Sequence, residues 1–281
     1  MCPALPKPCY RRALQARPSV VDSLRSLHPQ RSSLPVRVPS ASPHIAVDEA
    51  LLGKLIASQL KNGSAGGPSG WTGELVAPLV DDAECLRGLA ALVRDIINGE
   101  LDAHARSLLM ASLLIPGAKA GGGVRPIAIS ESFYKLSTIY AISLVRDSLP
   151  GLFEPIQLGV GAKGGSERAL HLIQAGLETM SADSILLKCD IRNAVNERKR
   201  DQILKELYRT AVLRPLWRLS HWAYKDVSEL LVFIMASIVT RSSHLKGSNR
   251  VIVLVQSCSL SLCSQFIAGA FRVLVRWWLL L

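Results

Sequence analysis

The sequence predicts a helix-rich α+β domain, and three observations carry that reading. Apolar residues recur at helical spacing over 46–61, at Val47, Leu51, Leu52, Leu55, Ile56 and Leu60, and a second helix is expected over 83–97. Two short apolar runs, 112–119 and 124–129, flank the turn Ala120-Gly-Gly-Gly123 and read as a β-hairpin. Further helices are expected over 132–148, 166–180 and 197–210, around a short apolar run at 184–190 that reads as a strand ending on Asp190. Helices mixed with hairpins on a mixed sheet define the α+β class.

Each element has a local reason. The first helix meets its stop at Asn62-Gly63, and the glycine-rich turn Gly63-Ser-Ala-Gly-Gly-Pro-Ser-Gly-Trp71 follows. The second has Asp81 or Asp82 near its cap and Asn98-Gly99 at its close. A third, short helix over 103–111 leads into the hairpin. Outside 45–233 the composition changes. Residues 1–44 hold seven Lys/Arg against the lone Asp22, are rich in Pro and Ser, and show no lasting apolar period. They read as a basic arm, solvated or touching phosphates. Residues 234–281 hold five Lys/Arg and no Asp or Glu, as if drawn from a different protein.

Whole-chain composition narrows the function classes. At 49% hydrophobic, the 281 residues have ample material for a packed core, which excludes a disordered polymer. A net charge of +11 favours a polyanionic partner, either nucleic acid or an acidic membrane face. The six cysteines form no CxxC pair and no His pair stands at zinc-finger spacing, so reduced, intracellular thiols are expected rather than a disulfide or zinc scaffold. No continuous apolar run precedes Ala46, which argues against a secretory signal.

Two groups of residues carry chemistry. Asp190 is a carboxylate at a strand end before a polar turn and a helix, a place where it can hold a divalent cation or serve as a cap. Lys119 and Arg125 flank the glycine hairpin, where two cations and exposed backbone N–H groups can grip a triphosphate. Alone, such a hairpin is more often a solvated loop.

The order of the motifs adds to this. Gly66-Gly-Pro-Ser-Gly-Trp71, Leu114-Ile-Pro-Gly-Ala-Lys119 and Val124-Arg-Pro-Ile-Ala-Ile129 are followed by Gln157-Leu-Gly-Val-Gly-Ala-Lys-Gly-Gly165 and Lys188-Cys-Asp-Ile-Arg-Asn-Ala-Val-Asn196. Over roughly 50–233 this resembles the fingers and first palm motif of reverse transcriptases from non-LTR, LINE-like, site-specific retrotransposons. The resemblance implies a partial right-hand polymerase, with an RNA template, a DNA primer, dNTPs and Mg²⁺ as partners, and nuclear residence. It implies that Asp190 is the catalytic metal-binding Asp, with the Ile191 carbonyl as a second ligand. Lys119 and Arg125 would neutralise the incoming phosphates, and Gln157 and Gly159 would shape the template and nucleotide region. Val195 departs from the family's Phe or Tyr, which puts sugar discrimination in doubt.

The family's two-metal chemistry needs a second carboxylate from a Tyr-x-Asp-Asp hairpin, and none follows Asp190 in this sequence. Asp81-Asp82, the only Asp-Asp pair, precedes it and reads as a cap. Codons for 246–260, shifted by one base, permit Gly-Val-Lys-Gln-Gly-Asp, close to the family's next motif. The expectation is therefore a truncated, frameshifted enzyme that is inactive by itself. The alternatives are a non-enzymatic nucleic-acid-binding remnant and, less favoured, a membrane-attached protein. The uncharged stretch 251–271 has the length for a span, yet Gln256, Gln265 and four serines interrupt it.

Overall fold

The computed structural model describes residues 18–28, 37–60, 62–119, 122–160, 162–181, 183–186, 199–234 and 237–244. Helices dominate and pack beside a single mixed sheet, as the α+β reading requires. The stretch 251–271, the less favoured candidate for a membrane span, lies outside these residues; no described helix is long and apolar enough to cross a membrane.

The helical layer grows from well-capped segments. Helix α1 spans Pro18–Ser26, α2 Glu49–Gln59, α3 Gly73–Val76, α4 Ala83–Asn98 and α5 Ala103–Met110. Asp48, Asp82 and Asp102 each accept a backbone N–H of the following first turn, at 2.7, 2.8 and 2.7 Å. These bonds satisfy donors that the helix geometry leaves without partners. Gly99 closes α4 at φ 70°, a left-handed conformation that glycine adopts at little cost. After the hairpin come α6 (Ser132–Ser143), α7 (Leu149–Phe153), α8 (Gly165–Glu178), α9 (Arg200–Arg209) and α10 (Trp217–Tyr224). The helix expected over 132–148 ends at Ser143 and resumes as a 3₁₀ turn over Arg146–Ser148.

Leu52, Ile56, Val93, Ile97, Leu136 and Leu207 belong to one buried cluster built from α2, α4, α6, α9 and α10. The extended chain before α2 is strapped to this layer. Asn98 receives the Ile45 N–H at 2.8 Å and donates to the Ile45 carbonyl at 2.9 Å, while the Asp48 N–H donates to the Tyr140 hydroxyl at 2.8 Å.

The sheet runs in the order β2-β1-β3-β4. Strands β1 (Ser112–Ala118) and β2 (Val124–Ser130) are antiparallel, with Ser112 opposite Ser130 and Ala118 opposite Val124. Strand β3 (Ser228–Ile234) lies parallel to β1 but pairs only at Leu230 and Leu231, opposite Ser112 and Leu113. Proline explains the short ladder. The Lys119 N–H donates to the Gly123 carbonyl at 3.3 Å. Alternation from that bond turns the backbone polar groups of 112, 114 and 116 toward β3, and Pro116 has no donor to continue. Strand β4 (Ser237–His244) pairs antiparallel with β3, inside the stretch whose composition set it apart.

Helix α1 is a departure from the arm expected over 1–44. Val21 and Leu24 are buried against Leu114, Leu230 and Val232 on one face of the sheet. Nine residues fall below the roughly 12–15 at which an isolated helix holds in water, so this docking is what keeps it folded.

Burial also sets the alkaline limit of the fold. Desolvation pushes the Tyr208 and Tyr224 phenols above their ordinary value of 10.0. A phenol raised in the folded state contributes stability fully below the unfolded value and loses it as pH climbs toward the folded one. Stability is therefore expected to fall above pH 10. The Tyr224 hydroxyl has no hydrogen-bond partner among the described residues. Tyr224→Phe is thus expected to be neutral or stabilising at pH 7 and to shift the alkaline unfolding midpoint upward, read by circular dichroism.

Candidate functional site

The hairpin β1–β2 brings Lys119 and Arg125 together. Its turn closes with the Gly122 N–H on the Lys119 carbonyl at 3.1 Å, and Gly122 and Gly123 carry φ of 85° and 91°. Both values lie where a side chain would be strained, so the glycines are required for this turn. Residues opposite one another across antiparallel strands project from the same face. Gly117 pairs with Arg125 and Lys119 with Gly123, so the two cations are diagonal neighbours on one face, each facing a glycine. Both are exposed. Ile127, on the same face, stays 45% exposed and leans over Gly117, where an added Cβ would meet its Cδ1 at 3.0 Å. Val124 faces the other way, toward the cluster that holds α1.

The root of the hairpin is clamped to the glycine-rich turn before α3. Glu131, buried at the β2–α6 junction, accepts the Ser69 N–H at 2.7 Å and the Ser69 hydroxyl at 2.5 Å. The Ser132 hydroxyl donates to the Trp71 carbonyl at 2.5 Å, and the Trp71 and Phe133 rings lie 5.2 Å apart. Gly67 is pressed against this junction: a Cβ there would meet the Glu131 nitrogen at 2.7 Å. Two motifs, joined by bonds that span 62 and 61 residues of chain, thus form one brace.

Gln157 and Gly159 sit in the loop after α7. The Gln157 Oε1 accepts the Gly159 N–H at 2.7 Å, and Gly165 opens α8 against the Leu158 carbonyl, which fills the place of its missing Cβ. Helix α8 is fastened through this first turn, with Arg168 forked onto Glu154 at 2.9 Å on each arm. Asp190, Ile191 and Val195 lie outside the described residues, as does most of the strand expected over 184–190. Among the described residues no three His, Cys, Asp or Glu side chains come together as a metal site.

Two arginines that sequence reasoning did not single out converge on the start of β3. Arg106 of α5 donates to the carbonyls of Trp222 (2.6 Å), Ala223 (2.8 Å), Asp226 (2.9 Å) and Val227 (3.1 Å). Arg200, the first residue of α9, donates to the same Asp226 carbonyl at 2.6 Å and to the Ser228 hydroxyl at 3.0 Å, and lies 5.4 Å from the Tyr224 ring centre. Burial brings the Arg200 guanidinium down to about 10, with the neighbouring Arg106 charge acting in the same direction. It remains cationic at neutral pH.

No family model matches the chain. Over 175 residues, 62% of its length, it is 37% identical to the retrotransposable element SLACS 132 kDa protein of Trypanosoma brucei gambiense. The chain spans 14% of that relative's length. The similarity supports a retrotransposon origin of the non-LTR kind for this sequence.

The brace yields a direct test. Gly67→Ala forces a methyl group against backbone that cannot swing aside, and is expected to cost about 1–3 kcal/mol in chemical denaturation. Gly88→Ala, with open space around its Cβ on α4, should not destabilise.

Proposed function

We propose that this chain is the fingers and first part of the palm of a retrotransposon reverse transcriptase, and that it grips the phosphates of an incoming dNTP with Lys119 and Arg125. The observation that carries this reading is the pair of exposed cations on one face of a glycine-turned hairpin, braced at its root by Glu131. The retrotransposon likeness supports it. In the parent enzyme the reaction joins a primer 3′-oxygen to the α-phosphorus of the dNTP and releases pyrophosphate, copying RNA into DNA. Mg²⁺ supplies charge neutralisation of the phosphates when bound. Asp190 would hold it as a carboxylate, with the Ile191 carbonyl beside it. Gln157 and Gly159 would border the template, and Val195 would face the sugar.

With no Tyr-x-Asp-Asp run among residues 191–281, the chain by itself is proposed to bind without extending a primer. A net charge of +11 favours retained binding of RNA or DNA backbone, with affinity falling linearly in log salt.

Equilibrium binding of a fluorescent dNTP tests the grip. Lys119→Ala with Arg125→Ala is expected to weaken binding at least tenfold, since a hydrogen bond to a charged group contributes about 1.5–3 kcal/mol. Asp190→Ala should abolish the gain in affinity given by Mg²⁺ and leave Mg²⁺-free binding intact. Binding that is indifferent to both cations would overturn the reading. Primer extension by the unaltered chain would overturn its inactivity.

A further inference from the structure

The ladder between β1 and β3 stops after Leu113 and Leu231. The next residues along the two strands, Leu114 and Val232, are buried together with Val21 and Leu24 of α1. Helix α1 thus covers the place where hydrogen bonding between these strands gives out. Its reach extends past β1, because Val124, the first residue of β2 and the neighbour of Arg125, packs against the same cluster. Val21 and Leu24 stand three residues apart and share one face of α1. Along the strands, Leu114 and Val124 alternate away from the face that carries Lys119 and Arg125. The helix therefore sits behind the hairpin and leaves the cations bare.

We infer that α1 is a back support for the cationic hairpin, with Val21 and Leu24 as positioning residues that keep Lys119 and Arg125 in the geometry that holds a phosphate chain. What is gripped rests on the reading given under the proposed function; the support itself does not. Beyond Leu113 the hairpin is no longer bonded to β3, and a two-stranded ribbon is marginally stable in water unless a further layer covers one face. Ile127, on the open face, is 45% exposed, so that face supplies little of the layer. Helix α1 supplies it from behind. The dependence runs both ways, since the nine-residue helix is itself held by docking. Two cations carried on either side of a turn act on one phosphate chain only while the strands keep their spacing and twist.

Amide hydrogen exchange and ligand binding in the full chain separate this support from bulk stability. Val21→Ala with Leu24→Ala removes the buried contacts, while alanine favours the helix itself. Exchange over 113–118 and 124–129 is expected to speed up, with exchange over α4, which packs in the other buried cluster, unchanged. Affinity for inorganic triphosphate is expected to weaken about tenfold, the factor that follows when the competent arrangement falls to about a tenth of the population. Asp82→Ala, which removes the cap of α4, should lower stability yet leave that affinity as it is. Val21→Ala alone serves if the double variant does not fold. Unchanged hairpin exchange in the folded variant overturns the support. Faster hairpin exchange with unchanged triphosphate affinity overturns the positioning role. A hairpin that loosens, in a chain whose triphosphate binding is indifferent to Lys119→Ala with Arg125→Ala, keeps the support and overturns the phosphate grip it was inferred to serve.

Discussion

The carbonyl oxygen of Asp226 is the point on which the sheet and the helical layer meet. Two guanidiniums converge on it from α5 and α9. Burying a charge is costly unless its donors are satisfied. The Arg106 donors are met by the carbonyls of Trp222, Ala223, Asp226 and Val227, at and just beyond the C-terminal end of α10, where the helix leaves acceptors free and its dipole is negative. The arrangement answers two needs at once. Helix α10 gains a cap that its sequence lacks, and Arg106 gains acceptors for its donors while the Asp226 charge favours its ionised form.

That solution also fixes β3. The strand has only two residue pairs with β1, because Pro116 supplies no donor further along. So short a ladder would hold β3 weakly. The Arg200–Ser228 bond and the Arg106 contacts hold its first residues in place before pairing begins. Pro126 faces Pro116 across the hairpin and leaves the free edge of β2 short of a donor, which blunts pairing by another strand.

Much of this was legible in the sequence, for identifiable reasons. Helices α2, α4 and α5 carry an aspartate cap or a glycine stop at the right place, and the hairpin is announced by its glycines. Helix α1 escaped because only Val21 and Leu24 touch the sheet, too few to make a period against a Pro- and Ser-rich background. Helix α10 and β3 were not foreseen: α10 has no N-terminal side-chain cap, and its basic neighbours gave no alternation to follow. Lys119 and Arg125 stood out as exposed cations around glycine. Arg106, Arg200 and Glu131 did not, since a buried charge looks like any surface charge until its partners are known. Strand β4 pairs with β3 just beyond the shift in composition at 234.

The braces share a design. The hairpin is rigid at its root, where Glu131 and Ser132 lock onto Ser69 and Trp71, and carries its cations at the other end. Helix α9 has its first residue, Arg200, anchored by a buried fork. Both anchors rest on backbone groups or on small hydroxyls, which have few rotamers and so lose little entropy when fixed. The exposed cations keep long side chains that, in the proposed function, would follow a phosphate. A body that spends its ordered hydrogen bonds at the roots and leaves charge at the tips suits a ligand that must enter, be held and leave. A fold stabilised by the same cations would have buried or paired them, as it does with Arg106 and Arg200.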